Sequence, residues 1–141
     1  MKPKDVVFDW GCGCGHKLTW LKKLYGVDGI GIDVVEQNII WADKFAAGKY
    51  CFADGNTIVD WVPEGLLDHV ISFGALYHAD DQCGIGRKLI RKLKSTGKAW
   101  FGALPYASKH NTDENEGLRQ TTYGMSKMTL ENWQECLSVF S

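Results

Sequence analysis

The sequence contains no apolar run approaching the roughly 18 to 20 residues that a membrane-spanning helix needs. It has no strong charge of either sign, because the formal net charge is −1, and so no global field to attract nucleic acid or a membrane. It also lacks internal repeats and low-complexity tracts. The opening residues, MKPKDVVF, leave no room for a signal peptide before a strand-like segment. These absences predict a soluble protein outside the membrane and secreted classes.

The cysteines do not form a recognisable disulfide framework, because there are five of them at scattered positions. We therefore expect reduced thiols and a cytoplasmic protein, with an organelle reached by a removed targeting peptide as the alternative. The 141 residues contain 45% apolar and 23% charged side chains, a balance typical of one globular domain with a single core. Residues 1–141 are accordingly read as a single domain.

Strand-like and helix-like segments alternate regularly along the chain. Such alternation predicts an α/β fold, with a parallel sheet, helices on both faces and right-handed crossovers. Either Asp80 or Asp81 is expected to cap the helix in which Ile85, Leu89 and Leu93 repeat. The predicted strands are 5–10, 28–33, 49–54, 66–73 and 97–104, and the other predicted helices are 16–25, 35–48 and 129–140.

The segment FDWGCGCGHKL, residues 8–18, follows the first predicted strand. Glycines at 11, 13 and 15 let the chain turn sharply and let a ligand touch backbone amides at the start of a helix. Asp33 ends the second strand, where a carboxylate can accept both hydroxyls of a ribose. Asp54 ends the third strand and is placed to accept from an adenine amino group. The glycine spacing fails the dinucleotide pattern G-x-G-x-x-G, which argues against a dehydrogenase.

A metal site is the competing interpretation of the same loop. Cys12, Cys14 and His16 offer at most three ligands from one tight turn, and no second ligand pair follows at a usual zinc spacing. We therefore assign no metal and read the two cysteines as small side chains filling a crowded turn.

Five segments in register resemble the class I S-adenosylmethionine-dependent methyltransferases, in the branch that acts on small molecules. The first, VVFDWGCGCG, resembles the family's glycine-rich motif, and the match extends over roughly residues 5–105. The resemblance implies a Rossmann-like doubly wound parallel sheet of strand order 3-2-1-4-5, and S-adenosylmethionine as cofactor. The other four segments are GIGIDVVEQNIIWA, CFADGNTI, LLDHVISFGALYHADD and LIRKLKSTGKAWFGALP.

The resemblance also implies roles for individual residues. Asp33 would hold the ribose, and Asp54 with Gly55 the adenine. Methyl transfer needs a base only if the acceptor must lose a proton. His78 is the candidate base and Tyr77 its neighbour at the methyl group, although a half-exposed loop histidine is the plainer interpretation. The residues implied at the rest of the cofactor site are Asp9, Gly11, Cys12, Gly13 and Gly15 near the methionine end, with Phe73 and Gly74 lining it.

The chain departs from the family at both ends, where the N-terminal lid and the antiparallel strand pair 6–7 are expected to be missing. The first interpretation is a methyltransferase acting on a small-molecule acceptor through the loops 73–78 and 105–127. The alternative is a methyltransferase-like structural subunit, or a homo-oligomer, in which a partner covers the open edge of the fifth strand. The basic stripe at 87–94 is read as a solvated helix face, so no strong nucleic-acid signal remains.

Overall fold

A computed structural model describes residues 1–102 and 130–138, and within them five strands alternate with five α-helices, of which all but the short α3 were predicted as helices. Two 3₁₀ turns, Val59–Trp61 and Leu76–His78, complete the described elements. The strands are β1 Val6–Trp10, β2 Asp28–Asp33, β3 Lys49–Phe52, β4 Leu67–Phe73 and β5 Leu93–Gly102. The helices are α1 His16–Tyr25, α2 Glu36–Phe45, α3 Gly55–Ile58, α4 Gln82–Arg91 and α5 Leu130–Ser138.

The five strands form one parallel sheet in the order β3-β2-β1-β4-β5, which confirms the predicted topology. β1 lies at the centre, where Val7 pairs with Gly29 of β2 on one side and with His69 of β4 on the other. The strand order therefore reverses direction beside β1. In open α/β sheets a ligand binds at such a point, beyond the carboxyl ends of the strands.

Alternate residues of the central strand point into two separate apolar layers. Val7 is fully buried with α1 and α2, whereas Phe8 is buried with α4 and α5 on the opposite face. In β4, Val70 and Ile71 divide between the layers in the same way. This strict alternation, with helices covering both faces, is what makes the sheet doubly wound.

The fifth strand differs from the prediction. It begins at Leu93, which the sequence pattern had placed in the preceding helix. That helix, α4, already ends at Arg91. Leu67 of β4 pairs with Leu93 of β5, and His69 pairs with Lys98. β5 therefore has extra residues between these two pairs and forms a bulge there. The same bulge brings Lys94 Nζ to 3.0 Å from the Asp68 carboxylate.

The expectation of reduced thiols is wrong for one pair of cysteines. Cys83 of α4 and Cys136 of α5 form a disulfide with a Cα–Cα distance of 6.0 Å. The two residues are 53 positions apart, so neither the count nor the spacing of cysteines could reveal that the fold brings them together. The other three cysteines are free, with Cys12 buried and the remaining two exposed.

None of the helices in the described part of the chain is long and apolar enough to cross a membrane.

Candidate functional site

The loop after β1 is held by backbone hydrogen bonds and left-handed glycines. The amides of Gly11 and Cys12 both donate to the Ile32 carbonyl, at 3.0 and 2.8 Å. Gly15 caps the start of α1 at φ +82°, and a Cβ there would lie only 2.6 Å from the Tyr50 hydroxyl. A side chain at position 15 is therefore excluded both by the backbone conformation and by the lack of space.

Asp33, at the carboxyl end of β2, fastens this loop to the next one. One carboxylate oxygen accepts from the Gly13 amide at 2.9 Å, and the other accepts from the Val35 amide at 2.8 Å. The oxygen bound by Val35 also accepts from the Asn38 side-chain amide at 3.4 Å, so the oxygen bound by Gly13 is the one that retains an acceptor position toward a ligand.

Asp54 lies two residues beyond the end of β3, rather than within the strand as predicted. Its side chain caps α3 by accepting from the Asn56 amide at 2.9 Å. The neighbouring Gly55 is buried against the Trp10 indole, whose Nε1 donates to the Gly55 carbonyl at 3.0 Å. This contact links the end of β1 to the loop after β3.

The loop after β4 contains the remaining candidates. Phe73 is 45% exposed, and His78 lies in the 3₁₀ turn that follows it. The amide of Asp80 donates to the Asn56 side chain at 2.8 Å, which ties this loop to α3. Tyr77 belongs to the same turn, but its side chain lies outside the described part of the structure.

These loops enclose a cavity of about 510 Å³ at the carboxyl ends of β1 to β4. Its size and position suit a nucleoside-containing ligand of small-molecule dimensions. Bare backbone lines it at the glycine loop, and side-chain acceptors line it at the ends of β2 and β3. Of the predicted residues, those that border the cavity are Gly11, Gly13, Asp33, Asp54, Gly55, Phe73, Gly74 and His78.

Three predicted cofactor residues lie behind the cavity wall instead. Asp9, Cys12 and Gly15 do not border it, and the first two are completely buried. Sequence reasoning also missed several residues that do border the cavity. All of them lie at the end of a strand or follow it within a few residues, and that position is the signal that could have identified them. These residues are Trp10, His16, Lys17, Asn38 and Asn56.

Asp9 gives the site its main electrostatic feature. Burial raises its pKa to about 6, and the negative charge of Asp33 adds to the shift, whereas Lys17 opposes it. Lys17 Nζ lies 3.4 Å from an Asp9 oxygen and borders the cavity. A cationic side chain is thus held at the cavity wall by a buried carboxylate.

Cys12 lacks the properties of a metal ligand. Its thiol is fully buried, and burial raises its pKa to about 12, whereas metal binding requires the thiolate. The side chain instead fills space against Gly31 of β2. Over residues 1–102 and 130–138, the His, Cys, Asp and Glu side chains form no group of three suited to a metal ion.

A family model described as a methyltransferase domain matches residues 8–101, which is more than half of the chain. Among curated proteins, the phosphoethanolamine N-methyltransferase of Triticum aestivum is 28% identical over 101 residues. That alignment covers 70% of this chain and 20% of the wheat protein. The chain therefore spans about a fifth of the length of this relative.

Solved structures agree on the fold. A chain from the complex of the Haloferax volcanii Trm112 methyltransferase activator with a methyltransferase aligns at TM-score 0.84 and 22% identity, covering 99% of this chain and 62% of that one. Haemonchus contortus phosphoethanolamine N-methyltransferase 2, bound to phosphomonomethylethanolamine and S-adenosylhomocysteine, aligns at TM-score 0.82 and 19% identity, covering 99% and 33%. Likeness at such low identity concerns the fold alone.

Proposed function

The chain belongs to the methyltransferase domain family, and from that membership we propose that it is a class I S-adenosylmethionine-dependent methyltransferase acting on a small-molecule acceptor. The observation that carries the proposal is the cavity at the carboxyl ends of β1 to β4. That cavity is lined both by bare glycine backbone and by the carboxylates of Asp33 and Asp54. Phosphoethanolamine methyltransferases among the relatives favour a small acceptor over a macromolecule.

The cavity lining fits this cofactor. Asp33 and Asp54 present carboxylate oxygens to hydroxyl and amino donors of a nucleoside, and Asn38 and Asn56 add amide groups beside them. When bound, S-adenosylmethionine supplies an electrophilic methyl group on a sulfonium sulfur. The protein's task is then alignment and exclusion of water, which can supply most of the acceleration of an in-line displacement.

His78 borders the same cavity and is our candidate proton acceptor for an acceptor that must be deprotonated. Tyr77 stays a candidate by its place in the same turn. We further propose a cytoplasmic location. The Cys83–Cys136 disulfide is unusual for a reducing compartment, so this location requires that the two thiols be oxidised there.

Calorimetric titration with S-adenosylmethionine tests the cofactor assignment. We expect binding on the order of micromolar for the 141-residue chain, and affinity at least about tenfold weaker for Asp33→Asn. Asp28→Asn is the matched control, because it makes the same change at the opposite end of β2, where the side chain is exposed. Failure of a demonstrably folded chain to bind would reject the proposal, as would equal losses in both variants.

A non-catalytic subunit is the second candidate, and one surface favours it. On the outer face of α2, Trp41 stacks on Phe45 with ring centroids 5.0 Å apart, although the two side chains are 49% and 71% exposed. Phe52 of the outer strand β3 is also more than half exposed. Exposed aromatic side chains beside a sheet edge are typical of surfaces that a partner covers. Absence of cofactor binding would make this candidate the better one.

A further inference from the structure

A second cavity, of about 580 Å³, lies on the α1 side of the sheet. It runs between α1 and the adjacent strands β4 and β5. Trp20 and Leu21 form one wall, while Phe73 and Trp100 form the other. The remaining residues that border it are Met1, His16, Lys17, Tyr25 and Ile71.

This cavity meets the proposed cofactor cavity at a shared wall. His16, Lys17 and Phe73 border both of them. The Phe73 ring lies directly over Gly102 of β5, at a point where any Cβ would collide with the ring. Gly102 therefore allows the ring to stand between the two cavities. A molecule in the second cavity would lie next to one in the first.

The lining of the second cavity selects for an apolar ligand. Its charged or titratable nitrogen side chains, His16 and Lys17, are both at the shared wall, Tyr25 adds one hydroxyl, and the rest of the lining is aliphatic or indole and phenyl surface. Among the described residues, no carboxylate borders this cavity to neutralise an ammonium group, and the Lys17 charge is already paired with Asp9 at 3.4 Å. An unpaired charge or an unbonded polar group placed against these side chains would lose hydration without gaining a partner.

We propose that this second cavity binds the methyl acceptor and that the acceptor is an uncharged, largely apolar molecule. Its nucleophilic oxygen or nitrogen lies at the His16 and Lys17 end. The inference rests on the proposed function. In the transfer, the lone pair of that heteroatom forms the new bond to the methyl carbon. The carbon–sulfur electron pair stays with sulfur, and the proton of the acceptor passes to His78, our candidate proton acceptor, and then to solvent.

The exposed side chain of Trp20 provides a test, because its removal should leave the fold intact. Trp20 borders the second cavity but not the first, and it is 58% exposed. Trp41 of α2 is 49% exposed and borders neither cavity. Trp20→Ala and Trp41→Ala therefore make the same change on two helices, with only one of them at the proposed acceptor site.

Saturation-transfer NMR with 2-naphthol, an uncharged apolar probe, tests the cavity, with phosphoethanolamine run in parallel. We expect 2-naphthol to bind and its affinity to fall about fivefold or more in Trp20→Ala and in Tyr25→Ala, a second cavity variant. Trp41→Ala should bind it like the unsubstituted chain. The proposal would be overturned if 2-naphthol affinity were unchanged in both Trp20→Ala and Tyr25→Ala. Binding of phosphoethanolamine in the absence of any 2-naphthol binding would also overturn it.

S-adenosylmethionine titrations on the same preparations separate this inference from the proposed function. Cofactor binding without any 2-naphthol binding contradicts the acceptor class alone. Binding of 2-naphthol at Trp20, with no cofactor binding by the folded chain, contradicts the methyltransferase proposal and, with it, the role of the second cavity as an acceptor site. Because Trp20 does not border the cofactor cavity, we expect the Trp20→Ala variant to keep full cofactor affinity.

Discussion

At the scale of single residues, Asp9 has the most unusual environment among the described side chains. It is 0% exposed, and among the described residues its carboxylate oxygens have no hydrogen-bond donor other than the long contact with Lys17 Nζ at 3.4 Å. Its pKa of about 6, against an ordinary 3.8, means that the folded protein holds the proton more tightly than the unfolded chain. Ionisation therefore destabilises the fold. This penalty is absent well below pH 3.8, grows as the pH rises between these values, and is complete above about 6.

Replacing Asp9 by Asn should remove that penalty. We expect Asp9→Asn to be more stable than the unsubstituted chain at pH 8, by at most about 3 kcal/mol, since the amide stays neutral. The difference should shrink as the pH falls through 6 toward 4. Urea unfolding at pH 4.5, 6 and 8 measures it.

Asp28→Asn is the control for this prediction, because Asp28 is exposed and forms a surface ion pair with Lys22. It should change the free energy of unfolding by less than about 1 kcal/mol at every pH. A stability difference for Asp9→Asn that does not vary with pH would show that burial of its charge is not the cause.

At the scale of elements, the start of α4 shows which of two adjacent aspartates caps a helix when the sequence does not distinguish them. Asp80 and Asp81 were both candidate caps. The Asp81 carboxylate accepts from the Gly84 amide at 2.9 Å, while Asp80 contributes its backbone amide to Asn56. The Asp81 side chain lies where a Cβ on residue 84 would be, so the glycine makes room for the cap.

We expect Asp81→Ala to lower the free energy of unfolding by about 1 kcal/mol, through loss of one capped amide at the helix start. Asp80→Ala should cost less than half of that. Thermal unfolding of both variants under the same conditions measures the difference. Equal losses, or a larger loss for Asp80→Ala, would contradict the assignment of the cap.

The bounds of α1 and β2 were predicted correctly because local chemistry determines them. Gly15 and Gly26 flank α1 in left-handed conformations, and glycines at helix ends can be recognised from the sequence alone. The start of β5 was predicted too late because the bulge after Leu93 depends on pairing with β4. No residue near Lys94 signals that partner.

At the scale of the whole molecule, the disulfide joins two helices that are distant in sequence. Closing a loop of 53 residues stabilises a fold by about 4 kcal/mol in the chain-entropy model. We expect reduction to lower the melting temperature by about 10 °C or more, and Cys83→Ser to lower it equally without reductant. Cys14→Ser, at an exposed free cysteine, should melt like the unsubstituted chain and keep its response to reductant. A reductant effect that persists in Cys83→Ser would contradict the pairing.

The candidate site was predictable in outline because its residues follow strand ends. Parallel strands bring their carboxyl ends to one edge, so Asp33 and Asp54 had to approach each other once the strand order was known. The direction of each side chain was not predictable. Cys12 lies in the glycine loop but turns into the core, because Gly31 on the neighbouring strand leaves a space for it. That space exists only in the assembled sheet.

The central position of β1 also bears on how the chain is made. On the ribosome the N-terminal segment emerges first, and β1 can pair with β2 as soon as β2 follows it. Its other edge has no partner until residues near His69 of β4 have been added. During that interval the backbone amides and carbonyls along that edge of β1 remain open to water and to other nascent chains. Because β4 ends at Phe73, about midway along the 141 residues, the centre of the sheet closes in the middle of the synthesis of this sequence.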